Sequence, residues 1–319
     1  MASSSSSSSS LESIWNQLPA RNHAFRKISD DVYHDIVVLR HHDRRYTVEI
    51  LISTGQVISW KNQNDDELLF VSEKSIIKKD EPILGGIPVC FPRFIKNGNI
   101  ENTFPAGWLI DGSVPQPNDK PMLALILGPS HRDSLNWPNE FEFRIKYQLG
   151  ENGTLEMESR IENTDDHPFT FQFCYQNYLA ASYIGNIRIR GLVRLEYLDY
   201  QMNMKRFTGR DYKMPIRSEV DRVYVDVPAG GNNKVINVGD YGKGRTYTIE
   251  RSGTSLPDIV VWNPWIEKAK RIGDMGDEEY RKMVCVGPAA VVDPVTLNPG
   301  EAWTGKQSIS IEEETGSVC

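Results

Sequence analysis

The sequence predicts an all-β protein: one large antiparallel sandwich in a single domain with very little helix. Three observations carry that expectation. Short runs alternate apolar and polar residues with period two, Gly, Pro, Asn and Asp punctuate them, and helical periodicity is scarce. The 319 residues suffice for one domain of this kind with a proper core.

The elements follow in order. Tyr46-Thr47-Val48-Glu49-Ile50-Leu51-Ile52 alternates, Thr54-Gly55 interrupts, and Val57-Ile58-Ser59-Trp60 resumes. The cluster Arg40-His41-His42-Asp43-Arg44-Arg45 before them reads as a solvated hairpin turn, or else as an anion or partner contact. Phe141, Phe143, Ile145, Tyr147 and Leu149 alternate with Glu142, Arg144, Lys146 and Gln148, so one face is apolar and the other polar. Asn152-Gly153 supplies the positive φ of a tight turn, and Leu155, Met157, Ser159 and Ile161 return. Further strands are expected at residues 169–178, 187–189, 223–227, 234–238, 246–250, 259–262, 284–286 and 308–311. Residues 277–283, acids first and bases last, would make about two helical turns, as the helix dipole favours.

Composition bounds the function. A net charge of −7 and 25% charged residues describe an ordinary globular chain and argue against nucleic acid as a partner. No apolar run approaches the roughly 20 residues that span a bilayer. Cys90, Cys174 and Cys285 sit in apolar strands and Cys319 ends the chain; without metal spacing they read as reduced thiols of a reducing compartment. No metal and no cofactor is expected. The serine run from Ser3 to Ser10, followed by Arg21, Arg26 and Lys27, reads as a disordered cytoplasmic tail or as a short chloroplast transit segment. Residues 1–27 are therefore expected outside the fold, 28–315 as the domain and 316–319 as a C-terminal tail.

Three blocks then narrow the reading. Gly85-Gly86-Ile87-Pro88-Val89-Cys90-Phe91-Pro92, Ser218-Glu219-Val220-Asp221-Arg222-Val223-Tyr224 and Asp258-Ile259-Val260-Val261-Trp262-Asn263-Pro264-Trp265 resemble, in order and spacing, the glucose-6-phosphate 1-epimerases. These are relatives of aldose 1-epimerase that include the plant apospory-associated protein C group. The resemblance implies a galactose mutarotase-like β-sandwich and a site for a hexose or hexose 6-phosphate. It also implies a His acid on a central strand and a carboxylate base on a later one, since anomer exchange needs a proton taken from the anomeric hydroxyl and another given to the ring oxygen.

At those positions this chain departs from the family. Where the family reads Phe-x-Phe-x-Tyr-His-Thr-Tyr-Phe, the chain has Phe171-Gln172-Phe173-Cys174-Tyr175-Gln176-Asn177-Tyr178-Leu179, with Gln176 at the acid position. An amide holds a hydroxyl by hydrogen bonds but does not protonate a ring oxygen at neutral pH. Where the family reads Met-x-Cys-Val-Glu, the chain has Met283-Val284-Cys285-Val286-Gly287, with Gly287 at the base position. Asp293, beyond Pro288, reads as a turn acid before Pro294 rather than a stand-in. Leu84 replaces the arginine before Gly-Gly-Ile-Pro, and Asn102-Thr103-Phe104-Pro105-Ala106-Gly107-Trp108 skips a His-Gly-Phe-Ala-Arg block, which removes the phosphate clamp. Arg93 adds a cation that either compensates or is a plain surface arginine. Asp221, a sugar contact in the family, is retained; its other reading is a turn or strand-edge acid paired with Arg222. Trp262 and Trp265 offer either a stacking face or core. His23, His34, His41, His42, His131 and His167 read as loop residues rather than catalytic ones.

The sequence supports three functions: a catalytically inactive carbohydrate-binding, regulatory or structural member of the family, a weakly active hexose-6-phosphate 1-epimerase with a rearranged site, or an epimerase acting on a different sugar without phosphate. A protein partner is compatible with the first, including a place among the mutarotase-like subunits of chloroplast NADH dehydrogenase-like complexes. If only the acid and base were lost, Gln176→His with Gly287→Glu would restore exchange.

Overall fold

The computed structural model describes residues 23–26, 36–41, 45–78, 81–94, 105–112, 120–128, 137–228 and 235–313. Its alternating runs pair as expected, and every pairing is antiparallel. An eight-stranded sheet runs in the order Lys205–Thr208, Glu196–Asp199, Val220–Tyr224, Asp258–Asn263, Met283–Leu297, Phe169–Tyr175 and Val89–Cys90, with Tyr178–Ala180 also on Met283–Leu297. A nine-stranded sheet follows the order Met214–Pro215, Ile187–Arg190, Val235–Asp240, Arg245–Ser252, Ala302–Glu313, Leu155–Asn163, Phe141–Leu149, Met122–Leu127 and Leu109–Ile110. A four-stranded sheet holds His23–Arg26, Ile36–Arg40, Thr47–Leu51 and Gln56–Lys61 in chain order. The strand His23–Arg26 pairs with Ile36–Arg40, so the sheet begins inside the segment expected to lie outside the fold.

The main core lies under the apolar faces of these sheets. At its centre the Phe91 ring makes edge contacts with Trp137, Phe141, Phe143 and Phe171 at 5.1 to 5.4 Å between ring centroids. Each such side chain contributes about 1.5–3 kcal/mol by leaving water. The Phe141–Leu149 hairpin closes as the sequence predicts: Gly153 has φ +73°, and a Cβ there would come within 2.2 Å of the Tyr46 ring.

Helix departs from expectation. Residues 279–282 make a single 3-10 turn, Glu279–Lys282, while a short α-helix, Trp265–Ala269, forms where none was expected. One residue explains both. The buried Asn263 amide donates to the carbonyls of Tyr280 and Met283 at 2.8 and 2.9 Å and accepts from Trp265 N–H at 3.0 Å. It therefore pins the later turn and starts the earlier helix. His41 also differs: it is buried rather than exposed at its hairpin.

Candidate functional site

The Gly-Gly-Ile-Pro segment owes its glycines to backbone proximity. A Cβ on Gly85 would meet the Phe70 carbonyl at 2.3 Å, and one on Gly86 the Val57 carbonyl at 2.1 Å. Both also have positive φ, +125° and +60°. So seated, the segment accepts hydrogen bonds from Tyr178 N–H at Gly86 (2.9 Å) and from Gln176 N–H at Pro88 (3.1 Å). This anchors Val89–Cys90 beside Phe169–Tyr175.

Strand register then lays out the outer face of the eight-stranded sheet, turned away from the main core. Asp221, Trp262, Cys285 and Tyr178 are successive cross-strand partners and form one row. Val223, Val260 and Gly287 form the next row, and the pairs Cys174↔Ala289 and Tyr178↔Cys285 on either side place Gln176 opposite Gly287. Asp258, Ala289, Cys174 and Cys90 form a third row. The two positions read as acid and base are therefore neighbours on adjacent strands, as their chemistry would require.

Backbone and buried side chains crowd both positions. Gln176 is buried, and its Oε1 accepts from the Tyr178 hydroxyl at 3.3 Å. The strand 169–178 expected from the sequence breaks at Gln176 and Asn177, opposite Gly287. The buried Asn177 side chain donates to the Val286 carbonyl at 3.0 Å and exchanges hydrogen bonds with the Gln307 amide, so the chain crosses close over Gly287. A Cβ on Gly287 would lie 1.7 Å from the Tyr175 carbonyl oxygen and 2.9 Å from its carbon. A side chain there would collide with backbone, which counts against the expectation that Gly287→Glu with Gln176→His restores exchange.

Asp221 stands within the strand Val220–Tyr224, not at a turn. Its partner is Lys268, at 2.9 Å, which also reaches Glu219 at 3.4 Å. Arg222 instead pairs with Asp199 at 3.3 Å, which overturns the Asp221–Arg222 reading. Burial opposes the charge on Lys268, but the carboxylates of Asp221 and Glu219 outweigh it and raise the lysine pKa. Lys268 is the site residue that the sequence reading missed. The signal was present in Asn263-Pro264 followed by Glu267 and Lys268, a helix-start pattern with a base in the last turn.

The remaining candidates divide. Leu84 packs in an apolar cluster with Phe70, Tyr178 and Met283, where Trp262 and Trp265 also lie half-buried. Trp262 meets Tyr178 edge-on at 5.9 Å. Arg93 is exposed beside Phe94, whose ring contacts Tyr200 at 6.4 Å. Asp293 is exposed, about 20 Å along its strand from Gly287. His167 is exposed and sits between Asp165 and Asp166, each 3.0 Å away. It precedes Phe169–Tyr175, whose far end leads to Gln176. Residues 102–104, His34, His42, His131 and Cys319 lie outside the described residues, as does the His23 side chain.

Burial keeps several phenols and thiols on this side of the sheet protonated at neutral pH. Burial, then the Asp221 charge, pushes Tyr200 up to about 12. Burial pushes Tyr178, Cys174 and Cys285 well above their ordinary values. Cys90, Cys174 and Cys285 are free and buried, as expected. The face offers hydrogen-bond donors, an aromatic wall and a neutralised carboxylate.

The large antiparallel sandwich that carries this face is galactose mutarotase-like. A candidate mutarotase from Salmonella typhimurium has this fold with a TM-score of 0.77 at 21% identity, covering 96% of this chain and 100% of that one. A protein from Synechocystis sp. matches with a TM-score of 0.69 at 16% identity, covering 88% and 96%. In sequence, a protein of Cenchrus ciliaris named as a candidate glucose-6-phosphate 1-epimerase is 43% identical over 279 residues, 84% of this chain and 82% of the relative. The aldose 1-epimerase family model matches residues 35–310, and the chain belongs to that family. No helix among the described residues is long and apolar enough to cross a membrane.

Proposed function

We propose that this protein is a hexose-binding member of the aldose 1-epimerase family that does not catalyse anomer exchange. The contact that carries this reading is the one at Gly287, where the Tyr175 carbonyl fills the space a catalytic carboxylate would need. The opposing Gln176 cannot donate a proton to a ring oxygen, and Lys268, its pKa raised by Asp221 and Glu219 against burial, is a poorer acid than a free lysine. What remains suits binding. Asp221 and Lys268 are half-buried hydrogen-bonding groups, and Trp262 and Tyr178 border them with aromatic surface.

Saturation-transfer NMR with D-glucose and D-galactose tests the binding half. Wild type should transfer saturation to at least one of the two sugars, and Asp221→Asn should weaken that complex about tenfold, the worth of one charge-assisted hydrogen bond. Equal signals in both proteins, or none in wild type, would remove Asp221 and this face from the account.

A further inference from the structure

The strand Val220–Tyr224 serves two sides of the sheet. Asp221 and Val223 stand on the outer face, and alternation sends Arg222 and Tyr224 the other way. There a cleft of about 400 Å³ opens, with Tyr197, Phe207, Arg210, Asp211, Arg222 and Tyr224 in its lining.

One wall is fixed. The Tyr197 ring stacks on Phe207 with centroids 5.7 Å apart, and the Arg222 guanidinium lies 4.5 Å over Tyr197. Arg222 Nε donates to Asp199, so the planar cation is held in one orientation. Nearby ion pairs join Arg206 to Glu196 and Arg222 to Asp199, leaving the exposed Arg210 without one among the described residues. The buried Tyr224 hydroxyl donates to the Met214 thioether at 3.2 Å, a weak acceptor, and accepts from the Arg222 side chain. Lys205 adds charge 5.8 Å from the Phe207 ring, so cations concentrate here on a chain of net charge −7.

We infer that this cleft is a second ligand site, separate from the outer face, that takes a small organic phosphate between Arg210 and Arg222. Two guanidinium groups present more donors than one carboxylate can accept, and a phosphate's three oxygens match them. The volume suits a ligand of sugar-phosphate size. Asp211 and the Tyr224 hydroxyl supply an acceptor and a donor for hydroxyl groups on its body.

Titration of the full chain, followed by amide NMR, tests this with four probes: glucose 6-phosphate, inorganic phosphate, gluconate and glucose. Saturable shifts at residues 207–211 are expected with glucose 6-phosphate, competed by inorganic phosphate and absent with glucose. Arg210→Glu, at an exposed and unpaired position, should weaken them at least about tenfold, since charge-assisted hydrogen bonds of this kind are worth about 1.5–3 kcal/mol. Shifts unchanged in Arg210→Glu, or confined to the Asp221–Trp262 face, would overturn the site. Gluconate binding as tightly as glucose 6-phosphate would overturn the phosphate assignment. Glucose alone reports on the outer face, so the two sites fail or stand separately.

Discussion

Gly287→Ala adds one methyl group where the structure has no room for it. The new Cβ would lie 1.7 Å from the Tyr175 carbonyl oxygen and 3.4 Å from the Asn177 nitrogen. Ordinary van der Waals contact begins near 3.4 Å, so the two central strands would have to part by well over an ångström. That separation would strain the Val286 N–H to Asn177 carbonyl bond (3.0 Å) and the Asn177 side-chain bond to the Val286 carbonyl (3.0 Å). Overpacking a core by small groups costs about 1–3 kcal/mol. Two weakened buried hydrogen bonds add about 1–2 kcal/mol, for a total of about 2–5 kcal/mol. Urea unfolding followed by tryptophan fluorescence measures it. With a slope of about 3 kcal/mol/M, the midpoint should fall by about 0.7–1.7 M. A Gly287→Ala midpoint within error of wild type would refute the steric argument, and would reopen this position to a restored carboxylate.

Two further perturbations test the frame around the site. Glu279, buried, accepts from the Ser72 hydroxyl (2.6 Å) and from the N–H groups of Glu73 (2.8 Å) and Gly276 (2.7 Å). Burial raises its pKa, but those donors outweigh it and hold it below the ordinary 4.5, so its stabilisation is present above that pH and is lost as pH falls through the folded-state value. Glu279→Gln should therefore cost about 1–3 kcal/mol in unfolding measurements at pH 7 and progressively less below pH ~4.5; a pH-independent difference would contradict the assignment. Gly153→Ala should lower thermal stability by about 1–3 kcal/mol, because positive φ and the Tyr46 ring both oppose a Cβ; an unchanged melting temperature would show that Tyr46 moves aside freely.

The sheets were legible where alternation was strict. The run from Phe141 to Leu149 writes its buried face in every second residue, and Gly153 announces the turn. Very short strands such as Leu109–Ile110 and Met214–Pro215 carry too few residues to show a period. The strand expected at 223–227 begins instead at Val220, which moves Asp221 from a turn into the sheet. That Gln176 and Gly287 stand at the positions the resemblance assigns to acid and base could be read directly. The reason a glycine is required could not, because the Tyr175 carbonyl reaches Gly287 only through tertiary approach. Lys268 was hidden in the same way: its partner Asp221 is distant in sequence, and a five-residue helix leaves little periodic signal.

The central claim is that the fold persists without the exchange chemistry. Magnetisation-exchange NMR on the anomeric protons of glucose 6-phosphate, with and without folded protein, tests it most directly. The account predicts an exchange rate equal to that of buffer, for wild type and for Gln176→His alike. Acceleration in proportion to wild-type concentration would contradict it and would direct attention to Asp221 and Lys268 as the groups that move the proton.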